Sequence, residues 1–169
     1  MRAVCRGCMN RCSLEEGQTG MCRARKNTGG AVIPVNYGKI TSMALDPIEK
    51  KPLRRFLPGS VILSVGSFGC NLRCPFCHNA LLVTRLAETP EIPEQEVLDF
   101  LASRRGLLDG VVLTGGEPLL QPDAADFLRK VRELGFAVKL DTNGCDPARL
   151  AEILNQGLVD YVAMDVKNS

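Results

Sequence analysis

The sequence lacks the features that mark membrane-spanning, secreted or nucleic-acid-binding proteins. No stretch approaches the run of about 18 apolar residues that a transmembrane helix needs, and the first residues include no apolar segment of a signal peptide. The formal net charge at pH 7 is only +2, too small to argue for nucleic acid or a membrane surface as partner. Basic runs such as Lys50-Lys51 and Arg54-Arg55 are expected to be solvated. We therefore expect a cytoplasmic protein with no membrane and no nucleic-acid partner.

Histidine is also scarce, whereas cysteine is plentiful. His78 is the only histidine, and the sequence offers no evident Ser/His/Asp constellation or acid–base pair. Eight cysteines in a cytoplasmic chain, where thiols stay reduced, indicate metal or redox chemistry rather than disulfides. They are Cys5, Cys8, Cys12 and Cys22; Cys70, Cys74 and Cys77; and the isolated Cys145.

Composition divides the chain into two regions, 1–59 and 60–169. The first begins with a Cys-rich segment that needs a metal to become ordered. Two apolar runs around Asn36–Gly38 then predict a hairpin; they are Ala31–Val35 and Lys39–Leu45. The second region reads as strand, helix, strand, helix, strand, helix, strand. Its helices are expected to begin at Pro93, Pro122 and Asp146. This alternation predicts an α/β fold with parallel strands, as a sheet or a partial barrel.

The segment from Gly69 to Asn79 carries the second cysteine group in a C-x3-C-x2-C spacing, directly after a predicted buried strand. Three thiolates can hold a [4Fe–4S] cluster and leave one of its four irons open for chelation by an amine and a carboxylate. The alternative is a structural zinc site with a distant fourth ligand. Zinc prefers paired C-x2-C knuckles or Cys/His pairs, however, and ligation by His78 next to Cys77 would be strained.

This segment resembles the cluster motif of the radical SAM superfamily, in which an aromatic residue precedes the last cysteine, as Phe76 does here. The resemblance covers about residues 60–169. It implies a radical SAM type of partial (βα) barrel and reductive cleavage of S-adenosylmethionine (SAM) to a 5′-deoxyadenosyl radical. The ligands of the catalytic cluster are then Cys70, Cys74 and Cys77.

Polar motifs follow the next three strands. Gly115-Gly116-Glu117 reads by itself as a turn or as a loop whose backbone approaches a ligand, and it resembles the superfamily's GGEP motif, which holds the SAM amino group. Asp141-Thr142-Asn143 ends the third strand, where barrel enzymes place their chemistry, although these residue types also form caps and turns. Asp165 and Lys167 share one face after the fourth strand, and either pair with each other or point toward SAM and substrate.

The same region resembles the activases of glycyl radical enzymes, above all the anaerobic ribonucleoside-triphosphate reductase activating proteins and the pyruvate formate-lyase activating enzymes. The segments that carry this resemblance are Cys77–Asn79, Arg104–Pro118, Leu140–Gly144 and Asp160–Lys167. It implies that Asp141, Thr142 and Asp165 help bind SAM and a monovalent cation, and that Phe76 and His78 lie by the adenine. It also implies flavodoxin or ferredoxin as electron donor, and hydrogen abstraction from a backbone glycine of a partner enzyme.

The first four cysteines, spaced C-x2-C-x3-C-x9-C, supply a complete set of four thiolates. Structural zinc and an auxiliary iron–sulfur cluster both suit such a set, because thiolates bind both metals. This part, with Tyr37-Gly38 and Asp46–Pro52, resembles the radical SAM enzymes of the AmmeMemoRadiSam system, whereas activases lack it. Radical modification of another macromolecule or small molecule is therefore a second functional hypothesis. A non-catalytic iron–sulfur carrier or metal-binding fragment is a third, which SAM binding would exclude.

Two expectations concern the end of the chain and its isolated thiol. The superfamily core usually has six βα units, whereas four strands are predicted here before Ser169, so the barrel is expected to be incomplete and open on one side of the SAM site. Cys145 follows an Asn-Gly turn and is expected to pack in the core rather than to bind a metal.

Overall fold

A five-stranded sheet forms the centre of the protein. The structure is a computed structural model, and it describes residues 1–51, 53, 55–80 and 90–167. The strands of the sheet lie in the order β5 (Ile40–Pro47), β6 (Val61–Ser67), β7 (Gly110–Gly115), β8 (Ala137–Thr142) and β9 (Tyr161–Met164). Strands β6 to β9 are parallel, and β5 pairs antiparallel with β6 at one edge. Because β6 to β9 are parallel and lie side by side, their carboxyl ends lie together at one end of the sheet, across the direction of the strands.

Helices alternate with the parallel strands, as the sequence predicts. They are α1 (Glu94–Ala102), α2 (Ala124–Glu133) and α3 (Pro147–Asn155). Helix α3 begins as expected, because the Asp146 carboxylate accepts a hydrogen bond from the backbone N–H of Arg149 at 3.1 Å and Pro147 fills the first helical position. Helix α1 begins directly after Pro93, and α2 begins two residues after Pro122. This is the predicted α/β architecture, part of a (βα) barrel.

The two faces of the sheet differ in chemistry. Alternate residues of the strands point to opposite faces, and one set, which includes Leu63, Val111 and Leu140, is buried in the main apolar core with the inner faces of the helices. The other face carries polar side chains such as Ser64 and Lys139, both nearly inaccessible to solvent. None of the helices in the described residues is long and apolar enough to cross a membrane.

The N-terminal part forms two small antiparallel ladders. The first joins β1 (Ala3–Val4) to β2 (Ser13–Leu14), and the second joins β3 (Arg25–Thr28) to β4 (Ala31–Pro34). The hairpin predicted from the apolar runs is therefore wrong, because β4 pairs with β3 while β5 pairs with β6. The reason is the turn Gly29-Gly30, whose φ angles of 63° and 81° suit a two-residue hairpin connection between β3 and β4.

The segment between β5 and β6 covers the polar face of the sheet at the amino ends of the parallel strands, which we call the lower end. Pro47 pairs with Val61, the first residue of β6, so the following 3₁₀ turn Ile48–Lys50 lies at the amino ends of the parallel strands. Ile48 is fully buried there in a small apolar cluster; the cluster comprises Ile48, Ile62, Val112, Leu53 and Phe56. We call this cluster the floor of the partial barrel. Pro52 and Arg54 lie outside the described residues.

Candidate active site at the carboxyl ends of the strands

The second cysteine group lies in the loop that directly follows β6. Gly69 opens this loop with a φ of 89°, and Cys70, Cys74 and Cys77 are all half-buried. The backbone N–H of Cys77 donates to the carbonyl of Cys74 at 3.1 Å, which makes the last part of the motif a tight turn. We call residues 69–79 the cysteine loop.

The surroundings of Cys70 suit a thiolate that binds an iron–sulfur cluster. Its sulfur accepts a hydrogen bond from the Leu72 N–H at 3.5 Å and lies 3.9 Å from the Asn143 side-chain amide. Burial raises the pKa of the Cys70 thiol to about 11, so the thiolate needs nearby positive charge, which metal ions supply. In the described part of the chain, no group of three or more Cys, His, Asp or Glu side chains is arranged to hold one metal ion. A cubane cluster does not require such convergence, because its thiolates bind different irons. The three half-buried cysteines of this loop supply the donor atoms that such a cluster takes, and their role as its ligands stays a proposal.

The Gly115-Gly116 pair lets the end of β7 dock against the cysteine loop. The N–H of Gly116 donates to the Ser67 carbonyl at 2.8 Å, and the N–H of Glu117 donates to the Gly69 carbonyl at 2.7 Å. A Cβ on Gly116 would lie 2.1 Å from that Gly69 carbonyl oxygen. Gly115 has a φ of 105°, and a Cβ there would lie 2.3 Å from the Ser67 nitrogen. The glycines thus permit a close approach of two backbones.

Glu117 ties the end of β7 to the end of β8. Its carboxylate is buried and accepts hydrogen bonds from the Leu119 N–H at 3.0 Å, the Thr142 hydroxyl at 2.5 Å and the Asn143 N–H at 2.8 Å. Burial raises the pKa of Glu117, and these donors act in the opposite direction. The side chain therefore shapes the loops around the site. Its predicted contact with the SAM amino group stays a prediction.

The ends of β8 and β9 present two ion pairs. Asp141 pairs with Lys139, which lies two residues before it in the same strand and is only 3% exposed. Asp165 accepts a hydrogen bond from Lys167 at 2.9 Å, and this bond raises the pKa of the lysine. The Lys167 ammonium also lies 5.7 Å from the centroid of the Phe76 ring. Asp165 and Lys167 therefore pair with each other, and both also line the cavity described below.

A cavity of about 480 Å³ lies on the polar face of the sheet and unites these motifs. All the predicted cluster and cofactor residues line it except Cys70. His78 and Phe76 are exposed at the cavity, and Phe76 has 63% of its surface accessible. The site thus collects side chains from the loops that follow β6, β7, β8 and β9.

Among the charged residues of the cavity, the sequence analysis missed three lysines, Lys50, Lys51 and Lys139. The 3₁₀ turn after β5 brings Lys50 and Lys51 to the cavity wall. Lys50 is mostly exposed, as expected for a solvated basic run, whereas Lys51 is only 20% exposed, so the expectation is wrong for Lys51. No local signal marks them, since their position depends on the pairing of β5 with β6. Lys139 carried a usable signal, because strand alternation places it on the same face as Asp141.

The comparison with known proteins is consistent with this geometry. The sequence profile of the radical SAM superfamily matches residues 64–169, more than half of the chain. The chain belongs to the radical SAM superfamily. Membership implies a [4Fe–4S] cluster and SAM, and the arrangement of the cysteine loop fits that requirement.

Individual relatives of this radical SAM chain differ in their named reactions. It is 42% identical over 104 residues to a protein of Methanocaldococcus jannaschii provisionally named a glycyl-radical enzyme activating enzyme. It is 37% identical over 118 residues to the 7-carboxy-7-deazaguanine synthase of Methanopyrus kandleri. It is 35% identical over 105 residues to the pyruvate formate-lyase-activating enzyme of Clostridium pasteurianum. Each match covers 59% of this chain and, in the same order, 40%, 46% and 43% of the relative. The chain thus spans less than half of these relatives.

The N-terminal cysteines of this radical SAM chain form a separate group. Cys5 and Cys22 are buried, while Cys8 and Cys12 are half-buried. The N–H of Cys5 donates to the Cys12 carbonyl at 2.8 Å, so the paired strands bring these two residues together. Zinc or a second iron–sulfur cluster at these four residues stays a prediction. Cys145 lies in the apolar core, where burial raises the pKa of its thiol to about 12.

Proposed function

We propose that this chain supplies the cluster-binding part of an enzyme that activates a glycyl radical enzyme. The partner would lose a hydrogen atom from the Cα of a backbone glycine to the 5′ carbon of a deoxyadenosyl radical. The observation that carries the proposal is the single cavity lined by the cysteine loop and by the ends of β7, β8 and β9. Two of the named relatives are activating enzymes, which supports the choice of reaction.

Each motif has a distinct part in this proposal. When bound, a reduced [4Fe–4S] cluster supplies the electron that divides SAM into methionine and a 5′-deoxyadenosyl radical. Cys70, Cys74 and Cys77 hold the cluster. The loop fixed by Glu117 orients the amino-acid end of SAM, and the exposed Phe76 ring offers a face on which the adenine can stack.

Other groups around the cavity hold the rest of the cofactor. Asp141, Thr142 and Asp165 offer oxygen atoms for a monovalent cation or for the SAM ribose, while Asn143, His78 and Lys167 complete the SAM contacts.

Flavodoxin or ferredoxin is the proposed electron donor. A cytoplasmic location and the division of the chain into residues 1–59 and 60–169 belong to the same proposal.

The first experiment is anaerobic reconstitution with iron and sulfide, followed by dithionite and SAM. We expect formation of 5′-deoxyadenosine that disappears in Cys74→Ala. Cys145→Ala is the matched control, because it also removes one thiol but lies in the apolar core, and it should retain product formation. A reconstituted protein that neither binds nor cleaves SAM would contradict the proposal and favour a metal-binding or electron-carrying role.

The second experiment addresses the substrate. Pyruvate formate-lyase and the anaerobic ribonucleoside-triphosphate reductase serve as probe proteins, and electron paramagnetic resonance detects a glycyl radical. We expect the radical on one of them, with loss of the signal in Cys74→Ala. Formation of 5′-deoxyadenosine without a radical on either probe would count against activation of these enzymes.

Radical modification of a different molecule is the second candidate function. It is favoured by the similarity to a 7-carboxy-7-deazaguanine synthase and by the two lysines that the segment after β5 adds to the cavity wall. The resemblance of the N-terminal part to AmmeMemoRadiSam-system enzymes agrees with it. A hydrogen atom from a small molecule would then appear in 5′-deoxyadenosine, which mass spectrometry with deuterated candidates detects.

A further inference from the structure

Two lysines reach the cavity from the side opposite to the proposed cofactor residues. Lys50 ends the 3₁₀ turn after β5, and Lys51 follows it. This turn lies at the amino ends of the parallel strands, whereas the cysteine loop lies at their carboxyl ends. The seven residues of β6 separate the two levels by roughly 20 Å of backbone at about 3.3 Å per residue. The lysines therefore extend into the cavity from the amino ends of the parallel strands.

A buried carboxylate fixes both lysines in place. Asp46, the second-last residue of β5, accepts hydrogen bonds from Lys50 at 2.6 Å and from the Ser64 hydroxyl at 2.9 Å. The Lys51 ammonium lies 4.0 Å from the other carboxylate oxygen of Asp46. The turn itself is anchored by Ile48 in the floor. Lys50 is thus held by its hydrogen bond to Asp46 although most of its side chain is exposed, whereas Lys51 is held by burial and by its ion pair with Asp46.

Among the residues that the structure describes, the lysines of the cavity outnumber the carboxylates paired with them. Lys139 and Lys167 each have a carboxylate of their own, Asp141 and Asp165 respectively. Lys50 and Lys51, by contrast, share the carboxylate of Asp46 within the described part of the chain.

The side chain of Lys51 is only 20% exposed, against 66% for Lys50. A mostly buried ammonium with a distant partner is stabilised by any further anion that approaches it. The lower end of the cavity therefore favours negative charge.

We infer that Lys50 and Lys51 bind an anionic oxygen group, a carboxylate or a phosphate, of the substrate whose hydrogen atom is abstracted. This inference rests on the proposed radical function and specifies its substrate class. The anion anchors the substrate at the lower end of the cavity, while its reactive carbon faces the cofactor end. The carboxylate of SAM is not this anion, because the proposed SAM residues lie at the other end. The group belongs either to a small molecule or to an acidic side chain beside the reactive glycine of a protein loop.

Lysine acylation followed by mass spectrometry tests the site without requiring radical chemistry. The reconstituted protein is acetylated alone, with inorganic phosphate, with SAM, and with two glycine-centred peptides that differ only in Asp against Asn beside the glycine. Sodium chloride at the same ionic strength controls for screening, and the exposed Lys26 on β3 serves as an internal control. At twice its dissociation constant, a bound probe should slow acylation of Lys51 about threefold.

Each outcome decides something different. Slower acylation of Lys50 and Lys51 with phosphate or with the Asp peptide, and an unchanged rate at Lys26, would support the anion site. Protection by the Asp peptide beyond that by the Asn peptide identifies a protein loop as the source, and protection by phosphate alone identifies a small molecule. Protection by none of these probes, or equal protection by SAM, would overturn the inference. Protection without 5′-deoxyadenosine formation would keep the anion site and reject the proposed reaction.

Discussion

Gly116 shows at the residue scale how little room separates the loops of the site. A side chain there would place its Cβ 2.1 Å from the carbonyl oxygen of Gly69, which is backbone and cannot rotate away. We expect Gly116→Ala to push β7 and the cysteine loop apart, at a cost of about 1–3 kcal/mol in the free energy of unfolding. Urea unfolding and cluster content after reconstitution measure the two effects.

Gly20→Ala is the matched control for this substitution. A Cβ on Gly20 would lie 3.7–3.9 Å from its nearest neighbours, atoms of Arg25 and Cys12, which is ordinary van der Waals contact. It should change the stability by much less than the Gly116 variant. Equal losses in both variants would show that the close approach at Gly69 is not the cause.

Glu117 is the second residue on which the loops depend. In Glu117→Gln, the amide group replaces one acceptor oxygen by a donor that faces the N–H of Asn143 or the hydroxyl of Thr142. Leaving a buried donor without an acceptor costs about 1–3 kcal/mol, so we expect a loss of that size in the free energy of unfolding and weaker SAM binding. Urea unfolding and equilibrium dialysis with SAM measure both. The exposed Glu133 provides the control substitution Glu133→Gln, and a Glu117 variant as stable as this control would refute the role in joining the loops.

At the scale of elements, Asp46 on β5 joins the following 3₁₀ turn, through Lys50, to β6, through Ser64. Hydrogen bonds from Lys50 and Ser64 hold the pKa of Asp46 below its ordinary value. The unfolded chain therefore binds more protons than the folded chain as the pH falls toward 4, and the contribution of Asp46 to stability is lost as the pH falls through its folded pKa.

The comparison of wild type with Asp46→Asn tests this linkage. We expect the wild type to be more stable at pH 7 by about 1 kcal/mol, the scale of one hydrogen bond to a charged group with an exposed partner. The difference should shrink as the pH falls below about 4. Urea unfolding at a series of pH values gives both curves. A difference that stays constant with pH would mean that the charge of Asp46 does not contribute.

Some elements could be predicted from the sequence because their causes are local. Apolar runs and Pro or Gly boundaries placed the parallel strands and the helices, and the polar motifs followed the strands in the expected order. The pairing of β4 was not predicted correctly, since the choice between β3 and β5 as partner depended on the Gly29-Gly30 turn. The cavity positions of Lys50 and Lys51 depend on which strand β5 joins, which no local pattern specifies.

At the scale of the whole molecule, the N-terminal part packs directly against the cysteine loop. The Asn10 side chain donates to the Asn71 carbonyl at 2.8 Å, and the Asn36 side chain donates to the Phe68 carbonyl at 3.1 Å. A Cβ on Gly69 would lie 2.7 Å from the Cβ of Ala24 and 3.0 Å from the carbonyl oxygen of Cys22. The order of the N-terminal cysteine segment and the geometry of the cysteine loop are therefore coupled.

This coupling predicts that loss of the proposed N-terminal metal loosens the cysteine loop. Two-residue strands bury little surface, so the metal proposed at the N-terminal cysteines would supply much of the order of the first 22 residues. In the double variant Cys8→Ser/Cys12→Ser, we expect lower metal content, measured by elemental analysis, which also distinguishes zinc from iron. Hydrogen exchange of the amides in residues 69–74 should become faster, because the support from Asn10 is lost.

The control for this last prediction is Met9→Ala, an exposed position between the two substituted cysteines, which should change neither the metal content nor the exchange. Faster exchange in both proteins would indicate a general effect of altering the segment. A double variant that loses its metal but keeps the wild-type exchange at residues 69–74 would separate the two cysteine groups. The N-terminal site would then act independently of the cluster, despite the hydrogen bond between Asn10 and Asn71.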